Sequence, residues 1–187
     1  MSPSPPLPQP APDILVREAR EEDMTAVEQI YGYHVRRGLA SFEEVAPDVD
    51  ELMRRRGEAL KRGLPYLIAE RRGRIVGFAY AAPYRTRTAY RHTVEDSVYV
   101  DHRALRQGIG RALLAALVER CTALGYRQMV AVIGDSGNES SIGAHQALGF
   151  SEVGLLPAVG YKLGRWVDCV IMQRALGPGS RTPPERA

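Results

Sequence analysis

Apolar residues along this chain recur at two spacings, and the alternation between them predicts the order of elements. "ILVREA" opens with a short apolar run suited to a first strand over Ile14–Arg17. In the "REEDMTAVEQIYGYHV" that follows, Asp23 stands as an N-cap, and Met24, Val27, Ile30, Tyr31 and His34 repeat at helical spacing. Pro47 and Asp48 open a second helix that runs to about Arg62. "PYLIAERRGRIVGFAYAAPY" reads as strand, tight turn at Arg72–Gly73, strand. "HTVEDSVYV" is a further strand, and from Ile109 a helix places Leu113, Leu117, Cys121 and Leu124 on one core-facing stripe. "YRQMVAVIG" is β-prone, "DSGNES" is a polar loop, and "SIGAHQALG" is a last helix before strands in "FSEVGLLP" and "WVDCVIMQRAL". The order β-α-α-β-β-β-α-β-α-β-β predicts a mixed α/β domain around one central sheet.

The chain has 187 residues, enough for one domain with a full core and too few for two. That domain is expected over 13–176. The prolines of 1–12 predict a disordered tail that is no signal peptide, since basic and apolar leader regions are missing, and "GPGSRTPPERA" predicts a second tail over 177–187. No stretch approaches the roughly 20 apolar residues that span a bilayer. Cys121 and Cys169 give neither a disulfide framework nor a metal spacing, so two buried thiols in a reducing cytoplasm are expected. The net charge is only +3 and nearly every basic residue is arginine, which does not make a nucleic-acid footprint. No metal, membrane or nucleic-acid partner is expected.

The candidate chemistry begins at "LRQGIGRALL". The first N–H groups of a helix lack internal partners and lie at the positive end of the macrodipole, roughly half an elementary charge. A turn that brings several of them to one point is an anion site, and glycine lets a phosphate approach the backbone. Gly108 and Gly110 occupy that turn, with Arg106 and Arg111 adding charge. Two glycines that merely let the chain turn are the plainer reading of the turn taken alone. A dinucleotide fingerprint fits less well, because its third glycine falls on Leu113, and no Gly-Lys-Ser/Thr of a P-loop occurs.

"VYVDHRALRQGIGRALL", followed by "NESSIGAHQALGF", resembles the GNAT family of acetyl-CoA-dependent N-acetyltransferases. "SFEE", "TVEDSVYV" and "VGYKLGRWVD" bring the likeness closer to its phosphinothricin acetyltransferase and L-amino acid N-acyltransferase branch. Two positions depart from the pattern: Leu105 stands where the family has Gln or Arg, and Gly32 follows Tyr31 where the branch has asparagine. The resemblance implies a mostly antiparallel sheet of six to seven strands with a splayed pair and about four helices. It implies acetyl-CoA as co-substrate, its pyrophosphate on the amides of Arg106, Gln107, Gly108, Ile109, Gly110 and Arg111. Its pantetheine arm should pair with Val98, Tyr99 and Val100 like an added strand, with Asn138 and Ser141 on the other side. Asn138 could equally cap the helix that follows it.

A free α-amino group has a pKa near 8, so attack on a thioester calls for a general base. Glu95 is the expected base and Asp96 the alternative; strand alternation puts Glu95 and Ser97 on one face and Asp96 and Val98 on the other. His145 is the expected acid for the leaving thiolate, by its place after Asn138, and Tyr161 is the reserve. The acceptor pocket is expected from Phe42, Tyr84, Arg85, Thr86, Val94, Glu95 and Asp96, where arginine forks suit a carboxylate and tyrosines wall a small pocket. Trp166 and Asp168 are expected at a far wall or a dimer contact. The expected protein is a cytoplasmic homodimer that acetylates the α-amine of a small amino acid or an analogue such as phosphinothricin or methionine sulfoximine. The alternatives are another amine (a polyamine, an aminoglycoside, a protein N-terminus) or a CoA-binding sensor without catalysis.

Overall fold

A computed structural model of the chain describes residues 13–184. The tail expected over 1–12 and the last three residues of the tail expected over 177–187 lie outside the described residues. The strands are β1 (Ile14–Glu18), β2 (Tyr66–Arg71), β3 (Arg74–Pro83), β4 (Thr93–Val100), β5 (Gln128–Gly134), β6 (Ser151–Lys162) and β7 (Arg165–Ala175). The helices are α1 (Met24–Arg37), α2 (Val49–Lys61), α3 (Ile109–Ala123) and α4 (Glu139–Gln146). The strands form one sheet in the order β1-β2-β3-β4-β5-β7-β6. Every neighbouring pair is antiparallel except β4 and β5, which α3 connects as a parallel crossover.

Two local predictions hold for physical reasons that the contacts make plain. Asp48 caps α2, its Oδ1 accepting from the Glu51 amide at 2.9 Å. Arg72 and Gly73 both take positive φ, the backbone of a two-residue hairpin turn. Asp23 departs from its expected role. Its side chain does not cap α1 but accepts from the Arg20 amide at 2.7 Å and from both terminal nitrogens of Arg17, tying β1 to the turn before the helix. Leu124 departs from the α3 stripe and lies exposed just past the helix end. The carboxyl-terminal tail follows the body as far as it is described. Gly179 is buried, and Arg127 donates to the carbonyls of Thr182 and Pro183.

Alternation along the strands divides the core in two. On one face α3 packs Ile109, Leu113, Leu117 and Cys121 against Val94, Met129 and Met172. On the other, Met24, Val27, Ile30 and Tyr31 of α1 cover Tyr66, Ile68 and Phe78. Both cysteines are buried and free.

The feature that positions everything else is the gap in the middle of the sheet. β4 and β5 pair only over Thr93–Asp96 and Gln128–Ala131, while β5 stays on β7 along its whole length to Gly134. Beyond Asp96 the two parallel strands therefore separate. The segment 39–42 packs against β5 on the α1 side of the sheet, close enough that a Cβ on Gly134 would lie 2.3 Å from the Leu39 carbonyl oxygen. Gly134→Ala is expected to push that segment off the sheet and cost about 1–3 kcal/mol. Urea unfolding of the variant checks this, and an unchanged midpoint would show that the close approach relaxes freely.

Candidate active site

Along β4 the backbone points alternately left and right. The Asp101 amide donates to the Val76 carbonyl at 2.9 Å, so in the β3–β4 ladder Asp101, Tyr99 and Ser97 turn their hydrogen-bonding groups toward β3. Val98 and Val100 turn theirs the other way, to the side where β5 has left. The split thus exposes a strand edge. It opens into a cavity of about 910 Å³ that reaches both faces of the sheet.

At one end of the cavity lies the turn before α3. Arg106 (φ 58°) and Gly108 (φ 80°) adopt left-handed backbone, which only glycine takes without strain, and Gly108 is the N-cap of α3 with no side chain capping it. The first amides of α3 are left to the cavity, which Arg106, Gly108, Ile109, Gly110 and Arg111 line. Gln107 belongs to the turn but points away, its side chain accepting from Arg71. Leu105 is exposed at the rim, so the departure from the family pattern falls on a residue that contributes backbone there.

Asn138, Ser141 and His145 of the α4 segment line the opposite wall. Asn138 does cap α4, its Oδ1 accepting from the Ser141 amide at 3.2 Å, and its side-chain nitrogen is left to serve the cavity. His145 is only 4% exposed. Its Nδ1 donates to the Ser141 carbonyl (2.7 Å) and its Nε2 to Asp96 Oδ1 (3.1 Å), so both ring nitrogens are engaged. Burial alone would lower its pKa, but the bond to Asp96 and that residue's charge outweigh it and raise it.

Glu95 lies on the other face, as alternation required, with Tyr80 and Phe42 along the same cavity. Its carboxylate accepts no hydrogen bond among the described residues. Burial raises its pKa, the neighbouring Asp96 charge adds to the rise, and only Arg85 opposes it. A half-buried carboxylate held in that state is suited to take a proton. Phe42 forms a wall, lodged between Gly134 and Gly160. The segment that carries it is held by the buried Lys162, whose Nζ donates to the Ser41 carbonyl.

Several expected residues are corrected by their surroundings. Asp96 is engaged with His145 and faces α3 and α4, so it is not on the acceptor side with Glu95. Val94 is wholly buried in the α3-side core and does not line the cavity. Tyr161 lies exposed on β6, edge-on to Trp166 at 5.3 Å, and does not line the cavity. Trp166 is likewise outside it, and Asp168 accepts from Ser136 and the Ala158 amide at the base of the β6–β7 hairpin. Half-buried Tyr84 and exposed Arg85 and Thr86 lie outside the cavity wall; of these only Arg85 is felt by Glu95. The residue that periodicity hid is His34. It continues the apolar stripe of α1 in sequence, yet it lines the cavity and its Nε2 donates to the Val100 carbonyl at 2.8 Å. Tyr31 was hidden in the same way: its hydroxyl donates at 2.8 Å to Glu43 of the "SFEE" segment, and Arg55 pairs with that carboxylate. Among the described residues no helix is long and apolar enough to cross a membrane, and no cluster of three His, Cys, Asp or Glu side chains could hold a metal.

Comparison with known proteins agrees with this arrangement. The family model described as "Acetyltransferase (GNAT) family" matches residues 18–150. Phosphinothricin N-acetyltransferase of Alcaligenes faecalis is 52% identical over 170 residues, spanning 91% of this chain and 86% of that protein. The L-methionine sulfoximine/L-methionine sulfone acetyltransferase of Pseudomonas aeruginosa is 37% identical over 169 residues, 90% of this chain and 98% of that one. Among solved structures, a GNAT superfamily phosphinothricin acetyltransferase from Sinorhizobium meliloti, in complex with AcCoA, superposes with a TM-score of 0.90 at 45% identity, covering 94% and 95% of the two chains. With the split sheet, the glycine turn and these relatives in agreement, the chain belongs to the GNAT family of acetyltransferases.

Proposed function

We propose that this acetyltransferase uses acetyl-CoA to acetylate the α-amine of a small amino acid or an analogue of the phosphinothricin or methionine sulfoximine type. The observation that carries the reading is the split itself: a helix N-terminus and a bare strand edge on one side, a desolvated carboxylate on the other. Acetyl-CoA supplies an activated acyl carbon. The residues present fit it, since the amides at Gly108–Arg111 and the Arg106 side chain suit a diphosphate, and the outward groups of Val98 and Val100 suit an amide-bearing arm. Asn138 and Ser141 close the far side.

On the acceptor side, Glu95 takes the proton that an amine must lose, and the raised pKa makes it a better match to an ammonium than an ordinary carboxylate. Arg85, outside the wall but close enough for Glu95 to feel its charge, suits the acceptor's anionic end, and Phe42 bounds the side chain. His145 serves by holding its place in the wall, both its protons being committed within the protein. Two buried free cysteines favour a reducing compartment, the cytoplasm.

The edge strand argues for a dimer. β6 exposes Val153, Leu155, Leu156, Val159 and Tyr161 along twelve residues, and Leu163 and Trp166 extend the patch. An apolar edge of that length is a liability unless a partner covers it, and a second copy covers it symmetrically.

Glu95→Gln is expected to lower kcat by about 10²–10⁴-fold while calorimetric affinity for acetyl-CoA stays within about twofold. Equal loss of both would make Glu95 a structural residue. Gly108→Ala must hold a Cβ at φ 80°, a strain of about 1–2 kcal/mol, so affinity for CoA is expected to fall by about tenfold; unchanged affinity would remove the diphosphate from this turn. Light scattering should give twice the 20.6 kDa chain mass, and Leu155→Glu should halve it. A wild type that runs as a monomer at micromolar concentration would end the dimer reading.

A further inference from the structure

Asp96 and His145 form a buried pair to which the acetyl-transfer scheme assigns no proton transfer. Asp96 lies on β4 at the last rung of the β4–β5 pairing, opposite Ala131, where the two strands begin to part. His145 lies in the last turn of α4, the short helix whose first turn carries Asn138 and Ser141 to the donor side of the cavity. Their side chains are 3% and 5% exposed, and they meet at 3.1 Å. The other nitrogen of His145 donates to the Ser141 carbonyl, within α4 itself. The helix is eight residues long, too short to hold its place by its own hydrogen bonds.

We propose that Asp96 is a positioning residue: by clasping His145 it fixes α4 across the mouth of the split and so sets the width of the channel that receives the donor. The proposal rests on the donor reading above. It also accounts for an oddity. Asp96 Oδ2 is buried with no hydrogen-bond partner, a costly arrangement that a well-packed core avoids unless the charge on the other oxygen is needed.

Proton inventory gives the clasp a property that plain packing lacks. His145 faces a carbonyl and a carboxylate, and the pair keeps both bonds only while it holds two protons, one on Nδ1 and one between Nε2 and Asp96. Loss of one proton breaks one bond or sets a lone pair against the carboxylate. The titratable groups that feel the Asp96 charge are Glu95 on β4 and Cys121 on α3; Arg85 and Cys169 on β7 lie beyond, next to Glu95. Burial pushes Cys121 up to about 12 and raises Cys169, which moves both thiols away from the range of an ordinary imidazole. Asparagine at 96 changes the inventory. A neutral imidazole then donates from Nδ1 to Ser141 and accepts at Nε2 from the amide, so no charge is required.

The test is calorimetric titration of the full chain with desulfo-CoA, which has no thiol to ionise, from about pH 7 to about pH 9.5, above the last phosphate ionisation near 6. Wild-type affinity is expected to fall as pH rises past the His145 pKa, Asp96→Asn to bind independently of pH, and Asp96→Ala to bind about tenfold more weakly throughout. Affinity within about twofold of wild type in Asp96→Ala overturns the proposal, as does a pH dependence in Asp96→Asn that copies the wild type. Should Asp96→Ala not fold, the isosteric Asp96→Asn comparison decides alone. NMR titration of the His145 ring, assigned by its loss in His145→Gln, separates this claim from the donor reading. If the wild type binds no desulfo-CoA, the donor reading fails. The clasp is then supported by a His145 pKa that drops in Asp96→Asn and overturned by one that does not move.

Discussion

Everything in this protein depends on two parallel strands that are not allowed to stay together. β5 is bound along its full length by β7, and β4 is bound along its full length by β3, so each has a stronger claim on it than the other. Only four rungs join them. The separation leaves backbone groups of Val98 and Val100 with no strand alongside, a state a buried sheet tolerates only if something else pairs with them. The His34 ring supplies one such bond, to the Val100 carbonyl. The remaining edge is where an extended, amide-bearing molecule gains most.

The same split explains why the cavity has two chemically different halves. Successive side chains of one strand face opposite layers, so Glu95 and Asp96, adjacent in sequence, meet different partners: Glu95 stays bare on the α1 side, and Asp96 is bound to a histidine on the α3 and α4 side. One carboxylate is kept free and the other committed, although they share a dipeptide. Their charges are close enough that the committed one helps to hold the free one's pKa above the ordinary carboxylate range.

Much of the fold was legible in the sequence because it is written locally. The seven strands and four helices were marked by apolar pattern, β-prone composition or a helix-opening residue such as Asp48, and the turn at Arg72–Gly73 by residue type; β6 alone runs well past its mark in "FSEVGLLP", to Lys162. The glycine turn before α3 was legible for the same reason, since its function is a backbone conformation that Gly108 adopts. What stayed hidden was decided across long sequence separations. Nothing near Asp96 announces His145, 49 residues on, and nothing in the α1 stripe distinguishes His34, which bonds to β4, from its apolar neighbours. Val94 and Tyr161 misled for the converse reason: each stands beside motif residues in the chain, but one faces the core and the other leaves along an edge strand. Asp23 shows a third case, where a good capping residue is claimed by a stronger partner in Arg17.

Phe42 rests in a slot made by missing atoms. A Cβ on Gly160 would come within 2.7 Å of its ring, and one on Gly134 within 3.2 Å. The ring's position is thus fixed by the lack of two methyl groups on strands that do not pair with each other. A carbon added at Gly160 would press first on the ring, whereas one at Gly134 would also displace the Leu39 carbonyl and the segment behind it. A single added carbon at Gly160 would therefore reshape the wall that Phe42 forms without altering any side chain of β4.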